Sequence, residues 1–317
     1  MGLSPRKLWE GVMAVLNFRA RPAAPGGAGG DLAATLADFS MEVMPRTAAK
    51  VADFGALLPV GTRVYLAHID GAEIDDMVAT AARLRAEGMV PMPHIPARSF
   101  PDRATLTRWV GRYREEAGVD QALLLAGGAR RPAGDLTSSM ELMETGLFDG
   151  FARLHVAGHP EGNRDIDPDD GETAAMAALE WKRDFARARG IAMAITTQFV
   201  FEMEPVVAWA GRLTARGIDM PVHLGVAGPA KLQTLIKFAI ASGVGPSLSV
   251  LQKRARDVSK LVRPFEPTEM VAALAAHRRA DPAFPVSNVH FYPFGGVDAC
   301  AEWLERQGAV ARPAASG

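Results

Sequence analysis

The chain has a single cysteine, Cys300, in 317 residues. One thiol cannot close an internal disulfide, and it excludes a zinc site built from several cysteines. Such sparing use of cysteine fits a reducing, cytoplasmic setting. No apolar run reaches the length of a helical membrane span. Neither sign of charge is in excess: 35 Lys and Arg face 36 Asp and Glu, a net charge of −1. No global field therefore draws the chain to nucleic acid or to an anionic membrane. A G-x-S-x-G elbow is absent, and no G-x-G-x-x-G follows the first apolar run. The second absence weighs against a doubly wound dinucleotide fold.

What is present is the balance of a globular domain, 48% hydrophobic and 22% charged. Residues 1–21 mix Arg6, Lys7, Arg19 and Arg21 with Leu8, Trp9, Val12, Met13, Val15, Leu16 and Phe18. Glu10 interrupts what would be the apolar stretch of a targeting peptide, so this segment reads as an amphipathic accessory helix or partner contact. PAAPGGAGG at 22–30 reads as a flexible linker. The expected division is therefore 1–31 for helix and linker and 32–317 for the catalytic domain.

From Phe39 onward, short apolar runs alternate with amphipathic stretches. Strands are expected at 40–44, 63–69, 90–95, 121–127, 153–158, 191–199, 221–226 and 286–292. Helices are expected near 47–58, 75–87, 103–116 and 173–189, with extra helices at 243–262 and 267–279 before the last strand. Eight strand-then-helix units with nearly continuous apolar strands predict an α/β fold, a (β/α)8 TIM barrel.

A TIM barrel carries its site at the C-terminal strand ends. The polar residues there are Glu42, His68 with Asp70, His94, Gly127 and Gly128, His159 with Glu161, Thr197 with Gln198, Gly225, and His290 with Tyr292. Each histidine alone is better explained as a loop or hydrogen-bonded residue. Glu42 differs, because it lies inside an apolar run. Burial there would raise its pKa and make it a proton donor near neutral pH. A structural ion pair with Arg46 or Arg63 explains it equally well. His68, His94 and His159, with Asp70 and Glu161 nearby, pose the alternative of a barrel metallohydrolase, which the lack of an H-x-H pair on the first strand disfavours. Cys300 belongs to a C-terminal helix and reads as core. The basic run at 252–256, with Lys260 and Arg263, reads as a solvated face or a phosphate contact.

Five segments, in order, resemble the methylenetetrahydrofolate reductase family: SMEVMPRTAAKV at 40–51, PMPHIPAR at 91–98, GHPEGN at 158–163, ITTQFVFE at 195–202 and HFYPFGG at 290–296. The resemblance covers roughly residues 39–304. It implies a barrel that binds FAD, takes electrons from NADH or NADPH, acts on tetrahydrofolate in one-carbon metabolism and methionine biosynthesis, and forms homo-oligomers. By the same resemblance Glu42 is the acid that opens the folate imidazolidine ring. Gln198, Gln233 (or its neighbour Thr234) and Tyr292 contact substrate. His68, His94, Gly127, Gly128, Ser139, His159 and Lys182 line the flavin pocket. The glycines would let backbone approach the ring system closely.

The departures are specific. Gly128 stands where the family carries an Asp, with Asp135 as a distant substitute. His159 replaces a Tyr, and Asn163 a later His. Gly295 and Gly296 replace an Asn-Arg pair. Such a divergent chain is expected either to work as the reductase, in the oxidative direction included, or to serve as a folate- or flavin-binding subunit without NAD(P)H oxidation of its own.

Overall fold

The computed structural model describes residues 28–69, 71–169, 171–241, 251 and 264–310. Eight parallel strands close into a barrel in sequence order. They are β1 Ser40–Val43, β2 Arg63–Leu66, β3 Val90–Pro96, β4 Gln121–Leu125, β5 Arg153–Gly158, β6 Met193–Val200, β7 Val222–Ala227 and β8 Val286–Tyr292. Closure is made by β1 on β8, with Ser40 opposite His290 and Met41 opposite Phe291. The expected (β/α)8 barrel is thus the observed fold. No helix among the described residues is long and apolar enough to cross a membrane.

The helices are α1 Ala28–Thr35, α2 Pro45–Ala48, α3 Ile74–Ala86, α4 Arg103–Ala117, α5 Ser139–Glu144, α6 Thr173–Arg189, α7 Met203–Ala215, α8 Leu232–Ala241, α9 Thr268–Ala280 and α10 Val297–Arg306. Their apolar stripes pack on the outward faces of the strands. Met41 and Val43 of β1, and Val222, Leu224 and Val226 of β7, belong to that shared core. Cys300 is buried in α10, as expected of a core residue.

Two expectations change. The helix expected at 47–58 is only one turn, Pro45–Ala48. Beyond it, Arg83 of α3 donates to the carbonyls of Ala48, Val51 and Ala52, and the Glu87 carboxylate accepts from the Phe54 amide. These long-range partners satisfy the backbone as turns, so it does not continue as a helix. The stretch read as a linker also ends early, since α1 begins at Ala28. It is held by burial of Leu32 and Leu36 and by an Asp31–Arg279 ion pair to α9. The accessory segment 1–21, Asp70, the basic run at 252–256, Lys260 and Arg263 lie outside the described residues, as does the helix expected at 243–262 apart from buried Leu251.

One irregularity shapes the site. Between Thr196 and Phe199, β6 slips by one residue against β7, where Thr196 faces His223 and Phe199 faces Gly225. The Thr197 hydroxyl accepts from the Gly225 amide at 2.8 Å and donates to the Gln198 carbonyl at 2.8 Å, filling the gap in the ladder. A Cβ on Gly225 would lie 2.5 Å from the carbonyl oxygens of both Thr197 and Gln198.

Candidate functional site

Strand pleating sends alternate side chains into the barrel. On β1, Met41 and Val43 face the helices, and Ser40 and Glu42 face inward. Glu42 Oε2 lies 3.3 Å from His94 Nε2 of β3 and 3.8 Å from His290 Nε2 of β8. A fifth of the Glu42 side chain remains exposed, whereas His290 is fully buried. Burial pushes the Glu42 carboxyl up, but the His94 and His290 imidazoles beside it outweigh that and hold the group at about 2. This corrects the expectation of a raised pKa, because Glu42 is ionised at neutral pH. Its partners are imidazoles and neither Arg46 nor Arg63. Arg63 pairs with Asp38 at 2.8 Å.

Tyr292 completes this group. Its ring lies 4.9 Å from that of His290, and its hydroxyl donates to the Thr197 carbonyl at 2.9 Å. Burial, with the negative Glu42 nearby, pushes the phenol up. Tyr292 also opens an aromatic wall, because it stacks on Phe294, which stacks on Phe238 of α8, while Phe199 meets both Tyr292 and Phe294 edge-on.

A second group gathers where β5 and β6 end. His159 hydrogen-bonds Gln198, and its Nδ1 lies 3.4 Å from the Asn163 amide nitrogen. Burial and the Lys182 charge lower His159 to about 4. Lys182 sits on the inward stripe of α6 with Met176, Leu179 and Ala186, and burial lowers its ammonium to about 8. A desolvated ammonium beside a second basic group suits a phosphate. The residues here therefore fit the phosphates of a nucleotide cofactor such as FAD.

The other expected site residues are placed differently. His68 packs against Trp109 of α4, with ring centroids 5.4 Å apart. Ser139 is buried at the first position of α5. Gly127 has φ +94°, and a Cβ there would lie 2.9 Å from Pro96 Cβ. Internal packing alone therefore requires a glycine at this position. A Cβ on Gly128 would meet open space. Gln233 and Asp135 are exposed. A Cβ on Gly295 would fall 2.1 Å from the Pro229 carbonyl, so close packing on the turn after β7 forbids any side chain where the resemblance calls for Asn. His68, His94 and His159 have three different neighbourhoods. Among the described residues no three His, Cys, Asp or Glu side chains are grouped to hold a metal ion.

A third group went unread in the sequence. The Tyr65 hydroxyl lies 2.7 Å from His155 Nδ1 and 3.2 Å from the Thr196 hydroxyl, which is itself 2.8 Å from His155 Nδ1. The His155 and His223 rings are 4.6 Å apart. Ser40 Oγ lies 2.8 Å from His290 Nδ1. Burial, reinforced by Arg63 and Arg153, drives His155 well below its ordinary value and His223 to about 2. The available signal was parity: His155 and His223 each fall on the inward alternation of an otherwise apolar strand.

No protein-family model matches the chain. Among solved structures it is similar to an uncharacterized protein from Clostridium thermocellum that binds two copies of 5-methyl-5,6,7,8-tetrahydrofolic acid. That match has a TM-score of 0.55 and 11% identity, and covers 88% of this chain and 98% of that one. A second match is dihydropteroate synthase from Thermus thermophilus, with a TM-score of 0.44, 14% identity and coverage of 87% and 95%. The first likeness shows the barrel fold. It does not establish the reductase family that the strand-end motifs resemble.

Proposed function

We propose that this chain interconverts 5,10-methylenetetrahydrofolate and 5-methyltetrahydrofolate at the C-terminal mouth of its barrel, with FAD as cofactor and NADH or NADPH as electron partner. The observation that carries the reading is Glu42, an ionised carboxylate held between two imidazoles, beside Tyr292, in the strand-end position where the resemblance calls for the folate acid. The C. thermocellum barrel offers a precedent for a reduced folate on this fold.

Opening the imidazolidine ring of the methylene substrate leaves a cationic iminium and requires a proton on the departing nitrogen. An ionised Glu42 favours the cation: at ~4 Å and an effective dielectric of about 20, such a pair is worth about 4 kcal/mol. Substrate lying over the mouth deepens burial, the influence that already pushes this carboxyl up, and so moves Glu42 toward the protonated form that donates. His94 and His290 are the side chains that flank the carboxylate there. Gln198 of β6, anchored on His159, and Tyr292 of β8, anchored on the Thr197 carbonyl, orient the ligand from strands that flank β7. Lys182 and His159 would hold the phosphates of FAD, and Ser139 and Gly128 would contact it as the resemblance implies. When bound, the flavin supplies hydride transfer between nicotinamide and the one-carbon unit.

Gly128 and Gly295, which lack the polar side chains of the resemblance, favour a second reading as a folate- or flavin-binding subunit that does not itself oxidise NAD(P)H. The purified chain, incubated with FAD and titrated anaerobically, separates the two. Bleaching of a flavin spectrum by both NADH and 5-methyltetrahydrofolate is the expected result. Bleaching by the folate alone selects the second reading. Colourless protein that takes up no FAD overturns the flavin assignment.

A further inference from the structure

Thr197 is buried at the slip in β6, and its hydroxyl bonds to backbone on both sides. The Gly225 amide of β7 donates to it, and it donates to the Gln198 carbonyl, each at 2.8 Å. Both partners have a fixed polarity, because an amide N–H only donates and a carbonyl only accepts. The direction of each bond is therefore determined. The Thr197 carbonyl in turn accepts from the Tyr292 hydroxyl of β8 at 2.9 Å. Since β6 and β8 flank β7, the bonds from Gly225 and Tyr292 tie three adjacent strands together through one residue.

We propose that Thr197 is a positioning residue for Tyr292: its hydroxyl holds the slip in β6, and the slip sets the carbonyl on which Tyr292 is anchored. In an unbroken parallel ladder the Gly225 amide would pair with a carbonyl of β6. Here Thr197 and Gln198 lie between paired residues that enclose only Leu224 on β7, and the Thr197 side-chain oxygen stands in for that carbonyl. Without the hydroxyl, the buried Gly225 amide loses its acceptor. It regains one only if β6 shifts toward a regular register, and that shift carries the Thr197 carbonyl away from Tyr292. Gly225 is the second part of the clasp. A Cβ there would lie 2.5 Å from the Thr197 and Gln198 carbonyl oxygens, so β6 approaches β7 this closely only at a glycine.

What depends on the clasp is the side of the mouth beside Glu42. Gly225 pairs with His290 in the β7–β8 ladder, and His290 Nε2 lies 3.8 Å from the Glu42 carboxylate. The Tyr292 ring is 4.9 Å from that of His290. A tyrosine has two side-chain torsions, so anchoring its hydroxyl holds its ring in one orientation. For the reaction proposed above, an orientation of Tyr292 is an orientation of the folate that it contacts, and this last step rests on that reading.

The test is ¹³Cζ-tyrosine NMR of the full ligand-free chain, joined to amide hydrogen exchange. The chain has three tyrosines, Tyr292→Phe assigns the line of interest, and Tyr113, buried on α4, is the internal reference. In wild type the Gly225 amide is protected, and in mixed H2O and D2O the Tyr292 line is split by slow exchange of an anchored hydroxyl. An averaged Tyr292 line or an unprotected Gly225 amide overturns the proposal, whether or not any variant folds. Thr197→Val keeps the size and removes the hydroxyl. In it the Tyr292 line moves, and Gly225 exchange quickens by about tenfold or more. Thr197→Ser restores both to wild type. A folded valine variant whose Tyr292 line does not move overturns the proposal. So does a serine variant as perturbed as the valine one, including the case in which neither folds. For the proposed reductase, Thr197→Val raises KM for 5-methyltetrahydrofolate about tenfold, and serine rescues it. That arm fails with the proposed function, whereas the NMR arms are read without substrate and stand or fall separately.

Discussion

Acidification should unfold this barrel earlier than its carboxylates alone would dictate, and His223 is the residue on which to measure it. His223 is buried on β7, and its pKa falls from 6.5 to about 2 on folding. Below its ordinary value the unfolded chain binds a proton that the native state refuses. Its contribution is therefore fully present above 6.5 and is lost as pH falls toward about 2. At ~1.4 kcal/mol per pH unit, lowering the pH to about 5 removes about 2 kcal/mol through this residue. His159, lowered from 6.5 to about 4, removes a similar amount, about 2 kcal/mol. His155 adds a loss of the same sign. The sum is a sizeable share of the roughly 5–15 kcal/mol that stabilises a typical domain. His223→Leu keeps the volume and removes the titration. Urea unfolding of both proteins at about pH 7.5 and about pH 5 gives a difference of differences in which any packing defect cancels. The variant should lose about 2 kcal/mol less than wild type on acidification. Equal losses in the two proteins would refute a neutral, desolvated His223.

Lys182 shows the same effect at higher pH. Its ammonium is lowered from 10.5 to about 8 by burial, so the native state sheds its proton first and stability rises as pH climbs through that window. Lys182→Met should stabilise the protein by about 3 kcal/mol near neutral pH, with the gain disappearing toward the upper end of the window. A gain that does not change with pH would show that the amine is not desolvated. At the β6 irregularity, Gly225→Ala puts a Cβ 2.5 Å from two backbone oxygens that no rotamer change can move. It should destabilise by about 3 kcal/mol in thermal unfolding, and an unchanged Tm would contradict the strand slip.

Much of the barrel is legible in local pattern. The ends of β5 and β8 coincide with the apolar runs at 153–158 and 286–292, and α6 with its amphipathic stretch. The segment after β1 was misread because what stops it from being a helix is Arg83, which belongs to another element. Glu42 was found by its setting, a carboxyl within an apolar run, but its protonation state was inverted. That state depends on His94 and His290, which local sequence does not place beside it. That Gly127 also packs against Pro96 follows from the fold and is not visible in local sequence. His155 and His223 were passed over because each, taken singly, looks like one polar residue in an apolar strand. Only barrel closure brings them to Tyr65 and to one another.

The slip in β6 has a consequence for what one strand can offer. In an unbroken strand adjacent side chains point to opposite faces, and a barrel strand gives its lumen every second residue. Here Gln198 reaches His159 and Phe199 reaches Tyr292, so two neighbours serve the same opening. An amide and a phenyl ring arrive side by side, one on the basic flank and the other on the aromatic flank. A β6 shorter by one residue would have to give up one flank or the other.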